Sequence, residues 1–186
     1  MGVVNTLSTV ISNYDASPRV LTSGYLAGGN DTIFVATVGA TSTDSIGSTY
    51  KFAFVPSGVR MQDIQLMNDA TTAGVFKLGV YCNDQQPCTT TTAGVVTTAA
   101  PGSIPITYAD QIFGTGTSTA TANTTWKSIY APTVLNGANG ATNVNKRVWE
   151  LLGLDFDPFY EFILTATLTT ATTANGNITL QGSWVR

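Results

Sequence analysis

The chain contains no histidine and few charged residues of either sign. Without histidine, Ser-His-Asp catalysis, Cys-His catalysis and most imidazole proton shuttles are excluded. Charged residues make up 10% of the 186 residues, against roughly 25% in an ordinary soluble domain. The net charge is −3, and no basic cluster exceeds the pair Lys146-Arg147, so nothing is suited to a phosphate backbone. We expect no nucleic-acid partner.

Long apolar runs are also missing, although 43% of the residues are hydrophobic. No run approaches the ~18 residues of a membrane span, so no membrane partner is expected. The first twenty residues have neither the basic start nor the apolar centre of a signal peptide, which predicts synthesis in a cytoplasm. Phosphate-binding and dinucleotide-binding glycine motifs are absent, and no cofactor is expected.

The two cysteines, Cys82 and Cys88, bracket the short segment NDQQP. Bonded to each other, they would constrain the unfolded chain by roughly 2 kcal/mol. In a reducing cell they would remain thiols, with Cys82 simply buried. Either state would pin the loop. Two cysteines without histidine do not supply the usual four ligands of zinc, so no metal site is expected.

Short β-type runs separated by turn signals recur along the chain. The predicted strands cover residues 31–38, 48–55, 59–67, 74–82, 103–108, 160–169 and 177–185. Phe76, Leu78, Val80 and Cys82 alternate with polar or small residues, as a half-buried antiparallel strand requires. With no β-α-β rhythm, the pattern predicts one all-β domain, a sandwich or a barrel. The Thr/Ala/Gly-rich segments 89–102, 114–125, 136–143 and 170–176 are predicted to be long loops.

Residues 143–152 (NVNKRVWELL) predict the one helix. Apolar residues recur there at helical spacing, with Asn143 or Asn145 available as an N-cap and Gly153 as a C-terminal stop. Asp155 and Asp157 then turn the chain, and Pro158 prevents the helix from resuming.

Two groups of side chains offer alternatives to a purely structural role. Asp155, Asp157 and Glu161 approximate the carboxylate pair of a glycosidase, which needs two carboxyl groups about 5–10 Å apart in a cleft. Turn formation explains the same residues with fewer assumptions. The three tryptophans, Trp126, Trp149 and Trp184, form either a sugar-stacking platform or part of the core. A sugar site predicts a solvent-facing tryptophan among polar side chains, whereas a purely structural role predicts buried ones.

Two segments, residues 47–81 and 145–186, resemble small structural proteins encoded beside the major capsid gene in tailed bacteriophages. The matching features are Val55-Pro56-Ser57 at a strand end, an Asn-Asp pair, a strand ending in G-x-Y, and a final [KR]-R-x-W-E-L-L-G-L-x-x-D-P block. They span about 40% of the chain, and the Thr-rich middle does not match. The final block would be a fold signature and not a ligand site: Arg147, Trp149, Glu150, Leu151, Leu152, Gly153, Leu154, Asp157 and Pro158.

The resemblance implies a head decoration or cement protein, non-enzymatic and bound to the outer surface of the capsid. Its fold would be a jelly-roll-like antiparallel β-sandwich over residues 21–186, and its partners the major capsid protein and itself, with a homotrimer favoured and a dimer possible. Residues 1–20 would be a contact arm or a plain first strand, with its apolar residues Val3, Val4, Leu7, Val10 and Ile11. The alternative is a virion-surface jelly roll that binds carbohydrate during host attachment.

Overall fold

The computed structural model describes residues 2–7, 12, 31–71, 73–132, 143 and 145–185. One α-helix of these residues, α1, covers Val148–Leu151, and a 3-10 turn covers Ala109–Gln111. The strands are β1 (Asn5–Leu7), β2 (Asp31–Ala40), β3 (Thr49–Pro56), β4 (Arg60–Asn68), β5 (Val75–Tyr81), β6 (Cys88–Thr92), β7 (Val95–Ala99), β8 (Gly114–Ser118), β9 (Asn123–Ser128), β10 (Glu161–Thr170) and β11 (Gly176–Val185).

The strands form two main sheets with the connectivity of a jelly roll. One sheet has the order β1-β3-β10-β5-β8 and the other the order β2-β11-β4-β9, while β6 and β7 form a separate hairpin. Successive strands alternate between the two sheets from β2 to β5 and again from β8 to β11, as in two nested Greek keys. The short β1 adds to the edge of β3 in parallel. The predicted all-β sandwich is confirmed.

Several local predictions need correction. The helix is shorter than expected, because residues 145–147 of the predicted 143–152 are not helical and the described helix begins at Val148. Residues 103–108 form turns and not a strand. The presumed loop 89–102 contains most of the β6–β7 hairpin, and 114–125 contains β8 and the start of β9. The domain boundary at residue 20 lies outside the described residues, as does most of 136–143.

The inner faces of the two sheets supply the core, which contains the large buried side chains Tyr50, Phe52, Met61, Ile64, Leu66, Phe76, Leu78, Phe113 and Phe162. Nearly all of β3 and β10 is buried on both faces, which simple alternation does not predict. The cause is the long connection between β5 and β8, which runs across the outer face of the five-stranded sheet.

Two ion pairs and one glycine attach this connection to the sheet. Lys51, on β3, is buried and pairs with Asp84, while Lys77 on β5 lies 2.5 Å from the carboxylate of Asp110. A Cβ at Gly79 would lie 2.1 Å from the carbonyl oxygen of Ala109, so only glycine permits this close approach. The connection is therefore a fixed layer over the sheet.

At the opposite end from α1, a buried carboxylate organises the turn between β2 and β3. Asp44 accepts hydrogen bonds from the backbone and hydroxyl of Thr41 at 2.9 and 2.6 Å and from the hydroxyl of Tyr50 at 2.6 Å. Burial alone raises the pKa of Asp44, but these hydrogen bonds outweigh it and hold the pKa below the ordinary value. Burial, followed by the nearby Asp44, raises the pKa of Tyr50, so its phenol remains a donor.

We predict that Asp44→Asn lowers the free energy of unfolding by about 1.5–3 kcal/mol at pH 7, the usual contribution of hydrogen bonds to a charged group. Because the folded pKa is depressed, this contribution is complete above the unfolded pKa and disappears as the pH falls through the folded value. Urea unfolding between pH 7 and pH 2 measures it. The difference from wild type should shrink below pH 3.8, the ordinary value for this group. A difference independent of pH would contradict the prediction. The control is Tyr50→Phe, which removes one hydrogen-bond donor to Asp44 but retains the carboxylate that titrates.

Candidate functional site

The two segments that carry the phage resemblance meet at the turn of residues 57–59. The first amides of α1, at Val148 and Trp149, donate to the carbonyl oxygens of Val59 and Ser57 at 2.9 and 3.1 Å. A helix start leaves such amides without acceptors inside the helix, and here the turn supplies them. The carboxylate of Glu150 also accepts the amide of Arg147 at 2.6 Å. The helix therefore begins where these acceptors are available, and not at Asn143 or Asn145.

Gly153 ends the helix in a left-handed conformation, with φ at 66°. The amide of Leu154 reaches the carbonyl of Trp149 and the amide of Gly153 reaches that of Glu150, both at 3.1 Å. This pair of bonds is a Schellman motif, which satisfies the last carbonyls of the helix and reverses the chain. The predicted helix stop at Gly153 is confirmed.

Asp155 holds the tip of the β6–β7 hairpin. Its two carboxylate oxygens accept the amides of Ala93 and Gly94 at 2.9 and 2.8 Å, and its own amide donates to Thr91 at 2.9 Å. Ala93 and Gly94 have φ values of 49° and 75°, as the two central residues of a type I′ hairpin turn require. The first aspartate of D-x-D-P thus fixes a turn more than sixty residues earlier in the sequence.

Asp157 holds the turn that leads into β10. One of its oxygens accepts the hydroxyl of Ser57 and the amide of Phe159, the latter at 2.9 Å. The hydroxyl oxygen of Ser57 in turn accepts the amide of Tyr160 at 3.1 Å. A Cβ at Gly58 would lie 2.6 Å from the other oxygen of Asp157, so this contact is close packed. Both aspartates hold loops, which is the scaffolding role expected from turn formation.

The β6–β7 hairpin is restrained at several points and yet exposed. A disulfide joins Cys82 to Cys88 at its base, and the amide of Thr89 lies 3.3 Å from the phenol oxygen of Tyr160. The first four residues of β7 are nevertheless exposed on both faces, and only Ala99 at its end packs against the core. A free two-stranded hairpin is marginally stable in water, so these restraints keep an otherwise weak element in place.

The restrained loops present large apolar side chains to solvent. We define the hairpin-end surface as Val95, Val96, Phe156 and Phe159, whose side chains are 63%, 65%, 59% and 88% exposed. Phe159 has a φ of 55°, a strained conformation for a bulky residue. A cleft of about 230 Å³ adjoins it, lined also by Asn83, Gln86, Pro87, Cys88, Tyr160 and Glu161. Projecting aromatic groups beside a recess are typical of interaction surfaces.

The remaining predicted residues lie elsewhere. Of the arm, Val3 and Leu7 are exposed, Val4 is partly buried, and its carbonyl accepts the amide of Thr49 at 2.9 Å; Val10 and Ile11 lie outside the described residues. Asn5–Leu7 pairs with β3 of the same chain. Of the fold signature, Leu151, Leu152 and Leu154 are buried, while Arg147 is exposed and Trp149, Glu150, Gly153, Asp157 and Pro158 are partly buried.

The tryptophans are not all buried. Trp184 is 6% exposed and stacks beside Phe34, with ring centres 5.5 Å apart, and Trp149 is partly buried. Trp126 on β9 is 37% exposed, so burial of all three is not observed. Within the described ranges, no group of three or more Cys, Asp or Glu side chains is close enough to hold a metal ion. None of the helices there is long and apolar enough to cross a bilayer.

Sequence reasoning missed the hairpin and the exposed phenylalanines. The signal for the hairpin is present, since CTTTT and VVTTA are β-branched runs separated by the two residues Ala93 and Gly94. No local signal marks Phe159 as exposed, because an aromatic residue at a strand start is more often buried.

No protein-family model and no curated protein sequence matches the chain. A solved structure described as the capsid asymmetric unit of cyanophage Pam1 is similar with a TM-score of 0.42 and 16% identity, over 90% of this chain and 92% of the other. A TM-score this low does not establish a shared fold, so nothing about the role of this chain follows from it.

We predict that Asp155→Ala loosens the hairpin without unfolding the sandwich. It removes a charged acceptor of two amides, and such bonds contribute about 1.5–3 kcal/mol, so the hairpin amides should exchange roughly 10- to 100-fold faster. Hydrogen exchange of residues 88–99, followed by mass spectrometry, measures this.

The matched control is Asp69→Ala, an exposed aspartate at the other end of the sandwich. It should leave exchange in the hairpin unchanged. Equal exchange in wild type and Asp155→Ala would show that the carboxylate does not restrain the turn.

Proposed function

We propose that this protein is a non-enzymatic structural protein of a phage virion, a decoration or cement protein. In this role it binds the outer surface of the head and clamps adjacent major capsid proteins against the internal pressure of packaged DNA. The hairpin-end surface is its contact with the major capsid protein. The resemblance of the two segments to phage head proteins supplies the biological context.

The observation that carries the proposal is the exposure of apolar side chains on restrained segments at the hairpin end. Phe159 is 88% exposed at a φ of 55°, so in the isolated subunit it combines strain with apolar exposure. Strained conformations persist where the surroundings impose them, and they cluster at binding sites. A partner that buries this side chain would recover the apolar part of that cost. Aromatic anchors of this kind dominate the binding energy of many interfaces.

The low charge of the chain suits repeated binding to a capsid. Neighbouring positions on a phage head present slightly different geometries. An ion pair requires its partner at a defined position, whereas apolar and hydroxyl contacts tolerate small shifts of the partner surface. Contacts that are weak singly become strong when many subunits bind linked sites. The exposed Val3 and Leu7 of the N-terminal segment are a further proposed contact with a neighbour.

The aspartates of D-x-D-P support a non-enzymatic role, because their oxygens bind loop amides and a serine hydroxyl. Asp155 uses both oxygens for the hairpin turn, and Asp157 binds Ser57 and Phe159. Carboxylates committed to holding loops are poorly placed to transfer protons to a substrate.

We predict that Phe159→Gly weakens capsid binding at least tenfold and keeps the stability of the subunit. Glycine adopts the positive φ without strain, and the lost side chain is almost fully exposed, so little packing is removed. Binding is measured by density-gradient co-sedimentation with capsids of the protein's own virus, and stability by urea unfolding.

Trp126→Ser is the matched control, because it also removes an exposed aromatic side chain but from β9 of the other sheet. It should bind capsids as wild type does. If wild-type protein ignores capsids, the decoration role is wrong; if Phe159→Gly binds unchanged, the hairpin-end surface is not the contact.

The exposure of Trp126 favours one second candidate, carbohydrate binding during host attachment. Thr124 and Ser128 lie on the same face of β9 as Trp126, Thr125 and Lys127 flank it in sequence, and polar residues accompany sugar-stacking tryptophans. Thr124 also lines a shallow groove of about 400 Å³ on the same sheet, with Asn68, Asp69, Asn123 and Asn177 among its other residues.

For this candidate we predict that wild type gives signals on a glycan array and that Trp126→Ser abolishes them. Phe159→Gly should leave the signals intact. An array without any wild-type signal would remove carbohydrate binding as a candidate.

A further inference from the structure

Among the described residues, the edge strand β2 is long, regular and not covered by another strand. All ten of its residues pair in continuous register with β11, whereas the register between β11 and β4 shifts once. Proteins normally protect edge strands with lysine, proline, bulges or short length, and β2 has none of these. Of the described strands, only β11 pairs with β2, so within the described residues its second edge has backbone donors and acceptors that no strand uses.

The three exposed residues in the middle of β2, Ile33, Val35 and Thr37, are uncharged and β-branched. Ile33 and Val35 are 61% and 54% exposed, and the hydroxyl of Thr37 lies 2.9 Å from that of Thr179 on β11. The inner side of the strand is fixed, because the ring of Phe34 lies over Gly182 and beside Trp184. A rigid strand with an open edge is a template for another strand.

We infer that β2 pairs antiparallel with β2 of a second copy of this chain, which joins two four-stranded sheets into one of eight strands. Charge favours this orientation. Asp31 is the one ionisable residue of β2, and antiparallel pairing places the two Asp31 residues at opposite ends of the joint, whereas parallel pairing in register would place them side by side.

Side-chain size selects the register. With Val35 opposite Val35, Ile33 faces Thr37 on the outer surface, and Phe34 faces Ala36 on the inner surface, which places large beside small. A shift by two in one direction would set Ile33 opposite Gly39 and leave its apolar surface without a partner, and in the other direction it would set Phe34 opposite Phe34, large beside large. The two-fold contact is self-complementary, as closed dimers require. Of the homotrimer and the dimer that the phage resemblance allows, this contact favours the dimer. The inference does not depend on the proposed binding to capsids.

The first test is the mass of the protein across concentration, measured by sedimentation velocity on wild type and Val35→Lys. Wild type should be a dimer, and Val35→Lys should dissociate at least tenfold more readily, because two ammonium groups would meet across the axis. Val95→Lys is the matched control, since this valine is similarly exposed but lies on the hairpin. It should remain dimeric and lose capsid binding.

The second test is a cross-link. In this register, opposed residues have Cβ atoms about 4.5–5.5 Å apart, so Val35→Cys should form a disulfide-linked dimer on oxidation. Thr37→Cys should not, because the two copies of residue 37 lie about 13 Å apart along the strands. A monomeric or trimeric wild type, or cross-linking of Thr37→Cys and not of Val35→Cys, would overturn the inference. A dimer that ignores capsids would leave it standing and reject the proposed function alone.

Discussion

The hairpin end of this jelly roll depends on the peptide groups of one turn, residues 57–59. The four residues of α1 are too few for a helix to be stable alone, because nucleation costs more than one turn of hydrogen bonds returns. The helix persists since the carbonyls of Ser57 and Val59 accept its first amides. The amide of Ser57 also donates to the carbonyl of Tyr160 at 2.7 Å, which joins the start of β10 to the same turn. Loss of this turn would free the helix, the D-x-D-P segment and, through Asp155, the hairpin.

The hairpin-end surface that this turn supports raises the free energy of an isolated subunit. Exposed valines and phenylalanines gain nothing from water, and a positive φ at Phe159 costs about 1–3 kcal/mol. The free energy to maintain them comes from the buried core and from the layer fixed by Lys51 and Asp84. A lone exposed apolar residue needs no explanation, but four on segments that Asp155 and Asp157 restrain do. Association is the physical process that gives such a surface a favourable role.

The sequence predicted the strands of the sandwich better than the helix, the hairpin and the connections attached to it. Alternation located the strands that face the core, because one-sided burial leaves a period of two in β11 and in the first half of β5. It failed for residues 103–108, where Pro105 interrupts an apolar run, and for the threonine-rich segments, because threonine suits both strands and loops. The helix was overextended because its start is set by acceptors from the distant residues Ser57 and Val59, which no local pattern encodes. The sequence predicted that Asp155 and Asp157 form turns. It did not predict that Asp155 holds the β6–β7 turn or that Asp157 binds Ser57.

Two exposed apolar surfaces on one molecule create a risk of cross-association, and their chemistry reduces it. β2 belongs to the four-stranded sheet, whereas the hairpin leaves from β5 of the other sheet, so the two surfaces have different supports. A strand edge selects partners through directional backbone hydrogen bonds, and only another extended strand in register satisfies them. Phe156 and Phe159 select by shape, because an aromatic anchor gains free energy only in a recess that fits it. A partner suited to one surface therefore gains little from the other, which allows a chain with little charge to distinguish its own copies from a second protein.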